Sequence, residues 1–321
     1  MVWAKTAAAY LAVVLIALTI NFALPRLAPG DPLSFLLPED VLAEMTEADQ
    51  TAVLAEFGLD RPIPVQFVDY AIGVLTGDLG TSVSYGAPVW RVVADHLPWT
   101  LLLMGWSLAL STLLGTALGV MAARHRGGTR DIGATVVVLF LGSAPVFWIA
   151  MLLITVFSAR LGWLPSFGAV PLTAFPGSPG YLWGIVERLI MPVTALTIVQ
   201  TAGVWLTARS SMAVALARDY VTFAHAKGVP EGQVFWRHAL RTAILPIYTN
   251  VMIGVGGLLG GALVVETVFS YPGVGTLIVA GVEARDYNLL QGVFLVATLS
   301  VIAANLVADL TYPFLDPRVR R

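Results

Sequence analysis

The 321-residue chain is poor in charge, because only 12% of its residues are Asp, Glu, Lys or Arg, whereas 57% are hydrophobic. Soluble domains carry roughly 25% charged residues, so this chain has too few charges to cover a water-facing surface of its size. The mean hydropathy of +0.81 leads to the same conclusion. The composition therefore indicates an integral membrane protein and argues against a soluble enzyme.

Cysteine is absent and lysine occurs only twice, as Lys5 and Lys227. Without cysteine the chain can form no disulfide, no Cys-ligated zinc site and no iron–sulfur cluster. Neither lysine belongs to a G-x-x-x-x-G-K-[ST] pattern, so there is no Walker A loop for ATP. No H-E-x-x-H or G-x-S-x-G occurs, and a net charge of −2 gives no sign of nucleic-acid binding. We therefore predict a protein that is not an enzyme and that holds no metal or cofactor of its own.

Six apolar stretches are each long enough to cross the ~30 Å hydrocarbon core as a helix, which needs about 20 residues. They cover residues 7–24, 100–122, 133–158, 190–208, 244–268 and 290–310. We therefore predict an all-α membrane protein with six transmembrane helices and with both termini on one side. Pro145 is expected to kink the third of these helices.

The Lys and Arg residues are divided unequally between the two sets of connecting segments. Twelve lie in the set that contains both termini and the connections near residues 127 and 225, and six lie in the alternating set. Because short, positively charged segments stay in the cytoplasm, we predict cytoplasmic termini. The predicted divisions are a first helix (1–27), an extracellular segment (28–96), a five-helix core (97–315) and a cytoplasmic tail (316–321).

The extracellular segment 28–96 carries eleven acidic residues and is too polar to span. A helix start is predicted at residues 46–49, an extended strut at 61–64, a second amphipathic helix over 65–75 and a turn at 77–80. The segment is either a small extracellular cap or a docking surface for a soluble partner, and the sequence leaves both open.

The cytoplasmic stretch 209–243 has the pattern of two short helices around a sharp turn, with apolar residues at helical spacing from Met212 to Phe223. Gly228 is expected to end the first helix, because glycine reaches the left-handed conformation without strain. Pro230 suits the first turn of the second helix. A simple loop between two spans does not require two helices around a sharp turn. The pattern therefore indicates a surface on which a partner protein exerts force.

Polar residues inside the predicted spans either join helices by hydrogen bonds or line a translocation path. The candidates for a path are Thr197, Gln200, Thr201, Asn250 and Asn305. Two G-x-x-x-G steps, formed by Gly256, Gly257, Gly260 and Gly261, favour close packing of helices. Glu266 lies near the end of a span and is expected to reach the membrane interface or a partner.

Several motifs, taken in order and spacing, resemble the B-type permease subunit of peptide, opine and nickel ABC importers, a family that includes the dipeptide and oligopeptide permeases. The motifs run nearly from end to end and include Ala28-Pro29-Gly30-Asp31-Pro32, Gly77-Asp78-Leu79-Gly80, Pro145-Val146-Phe147-Trp148, Ala224-His225-Ala226-Lys227-Gly228, Val265-Glu266-Thr267-Val268-Phe269 and Leu315-Asp316-Pro317-Arg318.

The resemblance implies the type I ABC importer permease fold, in the cytoplasmic membrane of a bacterium or archaeon. It also implies four kinds of partner: a second homologous permease, two ATP-binding cassette subunits that carry ATP and Mg, an extracellular substrate-binding protein, and the lipid bilayer. The corner at residue 228 looks like the EAA loop, through which such permeases bind the ATPases. The residues predicted to couple to the ATPase are Ala224, Ala226, Lys227, Gly228, Glu231, Arg237 and His238. The chain departs from the wider EAA pattern, since Thr222 and Phe223 stand where Glu and Ala are expected.

Two alternatives remain open from the sequence. Within the family, the cargo is expected to be a di- or oligopeptide, but nickel, opines, glutathione and oligosaccharides use similar permeases. Outside this family, the polar residues that are expected to face inward from the predicted spans are compatible with a stand-alone channel or secondary carrier. Such carriers usually show buried acid relays or inverted repeats, and the sequence shows no clear example of either.

Overall fold

The computed structural model describes residues 2–27, 39–56, 60–171, 174–258 and 262–315. Across these ranges the chain is helical, apart from turns and one two-stranded hairpin, β1 (Thr81–Ser82) and β2 (Ala87–Pro88). The helices are α1 (Val2–Leu27), α2 (Glu39–Glu44), α3 (Glu47–Glu56), α4 (Ile63–Thr76), α5 (Val89–Arg124), α6 (Thr129–Ser143), α7 (Val146–Leu153), α8 (Pro179–Leu216), α9 (Asp219–Ala226), α10 (Glu231–Gln233), α11 (Leu240–Gly256), α12 (Leu263–Val268), α13 (Val274–Glu283) and α14 (Tyr287–Leu315). Two π-helical segments, Ile154–Arg160 and Val234–Ala239, follow α7 and α10.

Four helices of the described ranges are long and apolar enough to cross a membrane, namely Val89–Arg124, Pro179–Leu216, Glu231–Gly256 and Tyr287–Thr311. A fifth crossing is present if the bent pair Asp131–Ser143 and Val146–Arg160 is one span. The first predicted span lies on α1, whose apolar stretch Ala8–Ala23 is shorter than the others. The prediction of an all-α membrane protein is therefore confirmed.

The third predicted span is broken at Pro145, as expected. α6 ends at Ser143, and Ala144 has an extended backbone (φ −70°, ψ 135°). Proline disfavours helical geometry at the residue before it, and it cannot donate to the helix ladder. The two halves are consequently bent by 92°.

The predicted bounds of the fifth span, 244–268, are wrong. The continuous helix runs from Glu231 to Gly256, and α12 is a separate short helix. A hydropathy count places the start of this helix too late, because several residues of its first turns are polar. Its early end follows from Gly254, Gly256 and Gly257, because each glycine in a helix costs about 1 kcal/mol relative to alanine.

The chain forms two compact units, and the first contains Met1–Trp99 and Gly273–Ile302. Its core is made of side chains from the first turns of α5, from α13 and from α14: Val89, Val92, Val93, Val274, Leu277, Leu289 and Val293. The hairpin is held by the buried carboxylate of Asp286, which accepts hydrogen bonds from Ser82 Oγ (2.5 Å) and from the Ser84 N–H (3.0 Å). Asp286 thus fixes residues 81–88 to the start of α14, where it also accepts the Leu289 N–H (3.0 Å).

The predicted helices of the extracellular segment are present in the first unit. Thr46 and Asp49 exchange backbone-to-side-chain hydrogen bonds (3.1 and 3.3 Å) at the start of α3, which is a reciprocal cap. α4 ends at Gly77 with a positive φ of 80°. The extended strut predicted at 61–64 reaches only to Pro62 (φ −55°, ψ 139°) and is wrong beyond it, because α4 begins at Ile63 and Pro64 lies in its first turn, where proline is tolerated.

The second unit contains Thr100–Pro272 and Ala303–Arg321, and α8 is its central helix. α8 packs against α6, α7, α11 and α12. In the most apolar 18-residue stretch of α8, 56% of the stretch is buried inside the protein, whereas the corresponding share is 17–28% in the other three membrane-length helices. α8 is therefore in contact with several helices of its unit at once.

Candidate coupling elbow

α9 lies between two sharp turns of the chain. The first turn follows the end of α8 at Leu216, where Arg218 has an extended backbone (φ −83°, ψ 149°). The helical spacing predicted from Met212 to Phe223 is interrupted here. The second turn joins α9 to α10. We call residues 217–238 the elbow.

The second turn of the elbow is a Schellman motif centred on Gly228. The Gly228 N–H donates to the carbonyl of His225 (2.9 Å), and the Val229 N–H donates to that of Ala224 (3.1 Å). Gly228 has a φ of +75°, as the sequence predicts. A Cβ at Gly228 would meet nothing within 4 Å. Glycine is therefore required by the backbone conformation and not by crowding.

The inside of the elbow is a small apolar cluster. Val221 and Ala224 of α9 are buried with Val234, and Val229 packs against them. Val229 follows the left-handed glycine directly, and an apolar contact from this position commonly accompanies the Schellman motif. The cluster joins α9 to the helix that begins at Glu231.

The outside of the elbow is exposed. Of the residues predicted to couple to an ATPase, six are exposed: Ala226, Lys227, Gly228, Glu231, Arg237 and His238. The seventh, Ala224, is only 7% exposed and packs inside the elbow. The structure adds two large aromatic side chains, Phe223 (67% exposed) and Trp236 (55% exposed), that the sequence did not mark as surface residues. Helical spacing alone assigned Phe223 to an apolar face, because the break at Arg218 was not foreseen.

A second apolar cluster attaches the helix after the elbow to the rest of its unit. Phe235, Ala239, Ala243 and Ile247 face residues of α5 and α8. The α5 and α8 residues in this cluster are Val120, Ala123, Ala208, Met212 and Ala215. Arg124 lies 5.9 Å from the Phe235 ring centre and 3.8 Å from Glu231, the latter contact being exposed and weak.

A buried ion pair joins α8 to α6 just before the elbow. Arg209 donates two hydrogen bonds to the carboxylate of Asp131 (2.7 and 2.6 Å), which also accepts the Gly127 N–H (2.9 Å). The Asp131 side chain is 1% exposed. Two parallel donors on one carboxylate form a strong and directional contact. No sequence pattern indicates this pair, since its members lie 78 residues apart.

Four of the five predicted path residues lie on or against α8. Thr197 is buried and its Oγ1 has no hydrogen-bond partner among the described residues. Gln200 accepts a hydrogen bond from Ser111 (3.3 Å), and Thr201 donates to the Thr197 carbonyl (2.6 Å). Asn250 donates to Thr207 (3.0 Å). Gln200 and Asn250 therefore join α8 to α5 and α11, whereas Thr201 bonds only within α8.

The fifth predicted path residue, Asn305, lies on the exposed surface of α14. The predicted path therefore remains a prediction for all five residues.

The predicted glycine packing is only partly described. Gly256 is buried, Gly257 ends α11, and Gly260 and Gly261 lie outside the described residues. Close contacts between helices are instead found at another G-x-x-x-G step, Gly115 and Gly119 of α5, which was not among the predicted packing residues. A Cβ at Gly115 would lie 2.7 Å from Val204, and one at Gly119 would lie 2.6 Å from the Trp205 carbonyl. These two glycines let α5 approach α8 closely.

Glu266 does not reach the surface of this chain, contrary to the expectation from its place near a span end. It is fully buried and accepts a hydrogen bond from Thr100 Oγ1 (2.6 Å). Its neighbour Tyr271 is also fully buried. Burial of a carboxyl group is tolerated where a donor faces it.

Comparison with known proteins agrees with this architecture. Residues 115–321 match a family described as the binding-protein-dependent transport system inner membrane component. A protein of Brucella ovis that carries the name of a peptide permease is 38% identical over 309 residues, which is 95% of each chain.

Two further relatives are similar in extent. The oligopeptide transport system permease protein of Bacillus subtilis is 34% identical over 95% of each chain. The dipeptide transport system permease protein of Escherichia coli is 36% identical over 94% of this chain and 93% of its own length. These are transport components, in agreement with the prediction that the chain is not an enzyme. The chain belongs to the family of inner-membrane permease components of binding-protein-dependent transport systems.

Proposed function

We propose that this chain is one of two permease subunits of an ATP-driven importer for di- or oligopeptides. The observation that carries the proposal is similarity along nearly the whole chain to proteins named as peptide, oligopeptide and dipeptide permeases. The absence of a Walker A loop from the sequence assigns ATP hydrolysis to separate subunits. The division of Lys and Arg supports cytoplasmic termini and a cytoplasmic elbow.

In this proposal the elbow receives the movement of the ATPase subunits. Exposed aromatic side chains surrounded by polar residues are characteristic of protein interfaces. Phe223 and Trp236 provide the aromatic contacts, and Lys227 and Arg237 provide charged ones. Ala226 and Gly228 are small and allow a close approach, whereas Ala224 holds the elbow together from inside.

The helix that leaves the elbow carries the movement into the membrane. It has 26 residues between Glu231 and Gly256, and at about 1.5 Å per residue it is roughly 39 Å long. That length exceeds the ~30 Å hydrocarbon core. Because the elbow is joined to this helix without a break, rotation of the elbow becomes tilting of a whole span.

Alternating access then follows from a shift between two states of the complete importer. Nucleotide can shift this equilibrium only by its differential affinity for the two states of the ATPase pair. The extracellular segment provides part of the surface on which a substrate-binding protein delivers its cargo. The proposed path residues remain Thr197, Gln200, Thr201, Asn250 and Asn305.

The proposal is tested by uptake into vesicles that contain the complete importer. We expect accumulation of a labelled dipeptide only when the permease pair, the ATPases, the binding protein and ATP are all present. Unlabelled peptides should compete, whereas nickel ions and glutathione should not. Uptake by this chain without ATPases would point to a secondary carrier, and competition by nickel or glutathione alone would reassign the cargo.

A further inference from the structure

An apolar groove lies on the second unit, beside the turn that connects α5 to α6. Its volume is about 370 Å³, at the lower end of the ~300–1,000 Å³ range of small-molecule sites. Its apolar lining comes from α5, α6 and α8: Leu118, Ala122, Ala134, Val137, Val138 and Trp205. Gly133 also lines it, and a Cβ there would meet nothing within 4 Å. The groove is therefore open space between membrane helices.

One end of the groove lies at a turn that carries His125 and Arg126. His125 lines it, and Arg126 follows in the same tight turn, which is closed by a hydrogen bond from the Gly128 N–H to the His125 carbonyl (3.1 Å). Both side chains are exposed. The turn contains a left-handed glycine, Gly127 (φ +81°), so it presents these two residues in a defined conformation.

The acid at this end does not oppose an incoming anion. Asp131 lines the groove, but both of its oxygens are engaged by Arg209 and one also accepts the Gly127 N–H. The Asp131–Arg209 pair is close to neutral, and within the part of the chain that the structure describes Arg126 forms no salt bridge. Arg124, by contrast, is directed to Glu231 and Phe235.

We propose that this groove binds one anionic phospholipid, with an acyl chain against Leu118 and Val137 and the phosphate beside His125 and Arg126. An apolar groove between membrane helices favours a hydrocarbon chain, and a basic turn at its end favours a negatively charged headgroup. Basic sites between transmembrane helices on the cytoplasmic side are known to select anionic lipids. The inference goes beyond the transport proposal and does not depend on the cargo.

The test uses the complete importer in phosphatidylcholine vesicles that contain a trace of photoreactive phosphatidylglycerol or, separately, photoreactive phosphatidylcholine. Crosslinked peptides are mapped by mass spectrometry. We expect phosphatidylglycerol to label residues 118–138 at least fivefold more than phosphatidylcholine does. Arg126→Gln should reduce phosphatidylglycerol labelling about fivefold, the contribution of one cation near a membrane surface, and leave phosphatidylcholine labelling unchanged.

Two glycine substitutions distinguish lipid labelling inside the groove from lipid labelling elsewhere on the membrane-facing surface. Gly133→Leu fills the groove and should abolish labelling by both lipids. Gly105→Leu, at another open position of a membrane helix where a Cβ meets nothing within 4 Å, should leave labelling unchanged. Equal labelling by the two lipids that Arg126→Gln does not alter would mean ordinary boundary lipid and would overturn the proposal. Crosslinks from the groove to another protein chain in place of lipid would overturn it as well.

Discussion

At the scale of single residues, Gly228 forms the second turn of the elbow through its backbone conformation. Its φ of +75° lies in the left-handed region, and open space surrounds the position of a Cβ. A substitution therefore acts on the backbone and leaves the surface almost unchanged. Gly232, four residues later, is also open to solvent but lies in a right-handed helix, which makes it a matched control.

We expect Gly228→Ala to uncouple ATP hydrolysis from uptake. The left-handed conformation costs an L-residue about 1–2 kcal/mol, which shifts the equilibrium between the native and opened turn by about five- to thirtyfold. The ratio of peptide imported to ATP hydrolysed should fall, with normal amounts of the chain in the membrane. Gly232→Ala should be neutral and Gly228→Asn should be intermediate, because asparagine tolerates this conformation. If alanine at positions 228 and 232 lowered the ratio of import to ATP hydrolysis equally, the turn at Gly228 would have no specific role in coupling.

Residues whose role is set by the local backbone could be predicted from the sequence. Gly228, Gly77 and Pro145 act through their own conformational limits, and the structure shows the turns and the break where they were expected. Residues whose role depends on a partner far away in the sequence could not be predicted in this way. Glu266 meets Thr100 across 166 residues, and the sequence offers no pattern that pairs them.

At the scale of elements, the ion pair of Asp131 and Arg209 connects the start of α6 to the last turns of α8. α8 leads directly into the elbow, so this contact and the apolar cluster around Phe235 together attach the elbow to its unit. The hydropathy count treated Arg209 only as a charge near a span end. Its buried partner became visible only when helix packing brought residues 131 and 209 together.

Asp131→Asn and Arg209→Gln should each destabilise the importer and reduce uptake. Loss of one partner leaves a buried group unsatisfied, at a cost on the order of 1–3 kcal/mol. The double exchange Asp131→Arg with Arg209→Asp should recover part of the stability, but not all, because an arginine at 131 cannot accept the Gly127 N–H. Thermal inactivation of the purified complex measures both effects. No loss in the single variants, or no recovery in the exchange, would contradict this role.

The element boundaries show where sequence reasoning is limited. The predicted fifth span began at residue 244, whereas the helix begins at Glu231 and includes a polar, partly π-helical segment. A hydropathy window sees Arg237 and His238 as a loop, although these side chains simply face away from α5 and α8. Likewise the G-x-x-x-G step at Gly115 and Gly119 was present in the sequence, but only the packing shows which glycines are crowded.

At the scale of the whole molecule, two facts are established: this chain is a multi-pass membrane protein, and it belongs to a family of transport permeases. The proposal adds a direction of force, from ATPase subunits to the elbow and from the elbow along a continuous helix. The elbow must then lie in contact with an ATPase in the assembled importer. Phe223 is the most suitable reporter, because it is 67% exposed and projects from α9, away from the apolar cluster.

The most direct test places a photoreactive amino acid at position 223 in membranes that contain the assembled importer. Trp163 serves as the control position, since it is 68% exposed. It lies between the third and fourth predicted spans, on the side opposite the predicted cytoplasmic termini. The account predicts that position 223 captures an ATP-binding cassette subunit and that position 163 does not. Capture of the ATPase from both positions or from neither, with the importer active, would contradict it.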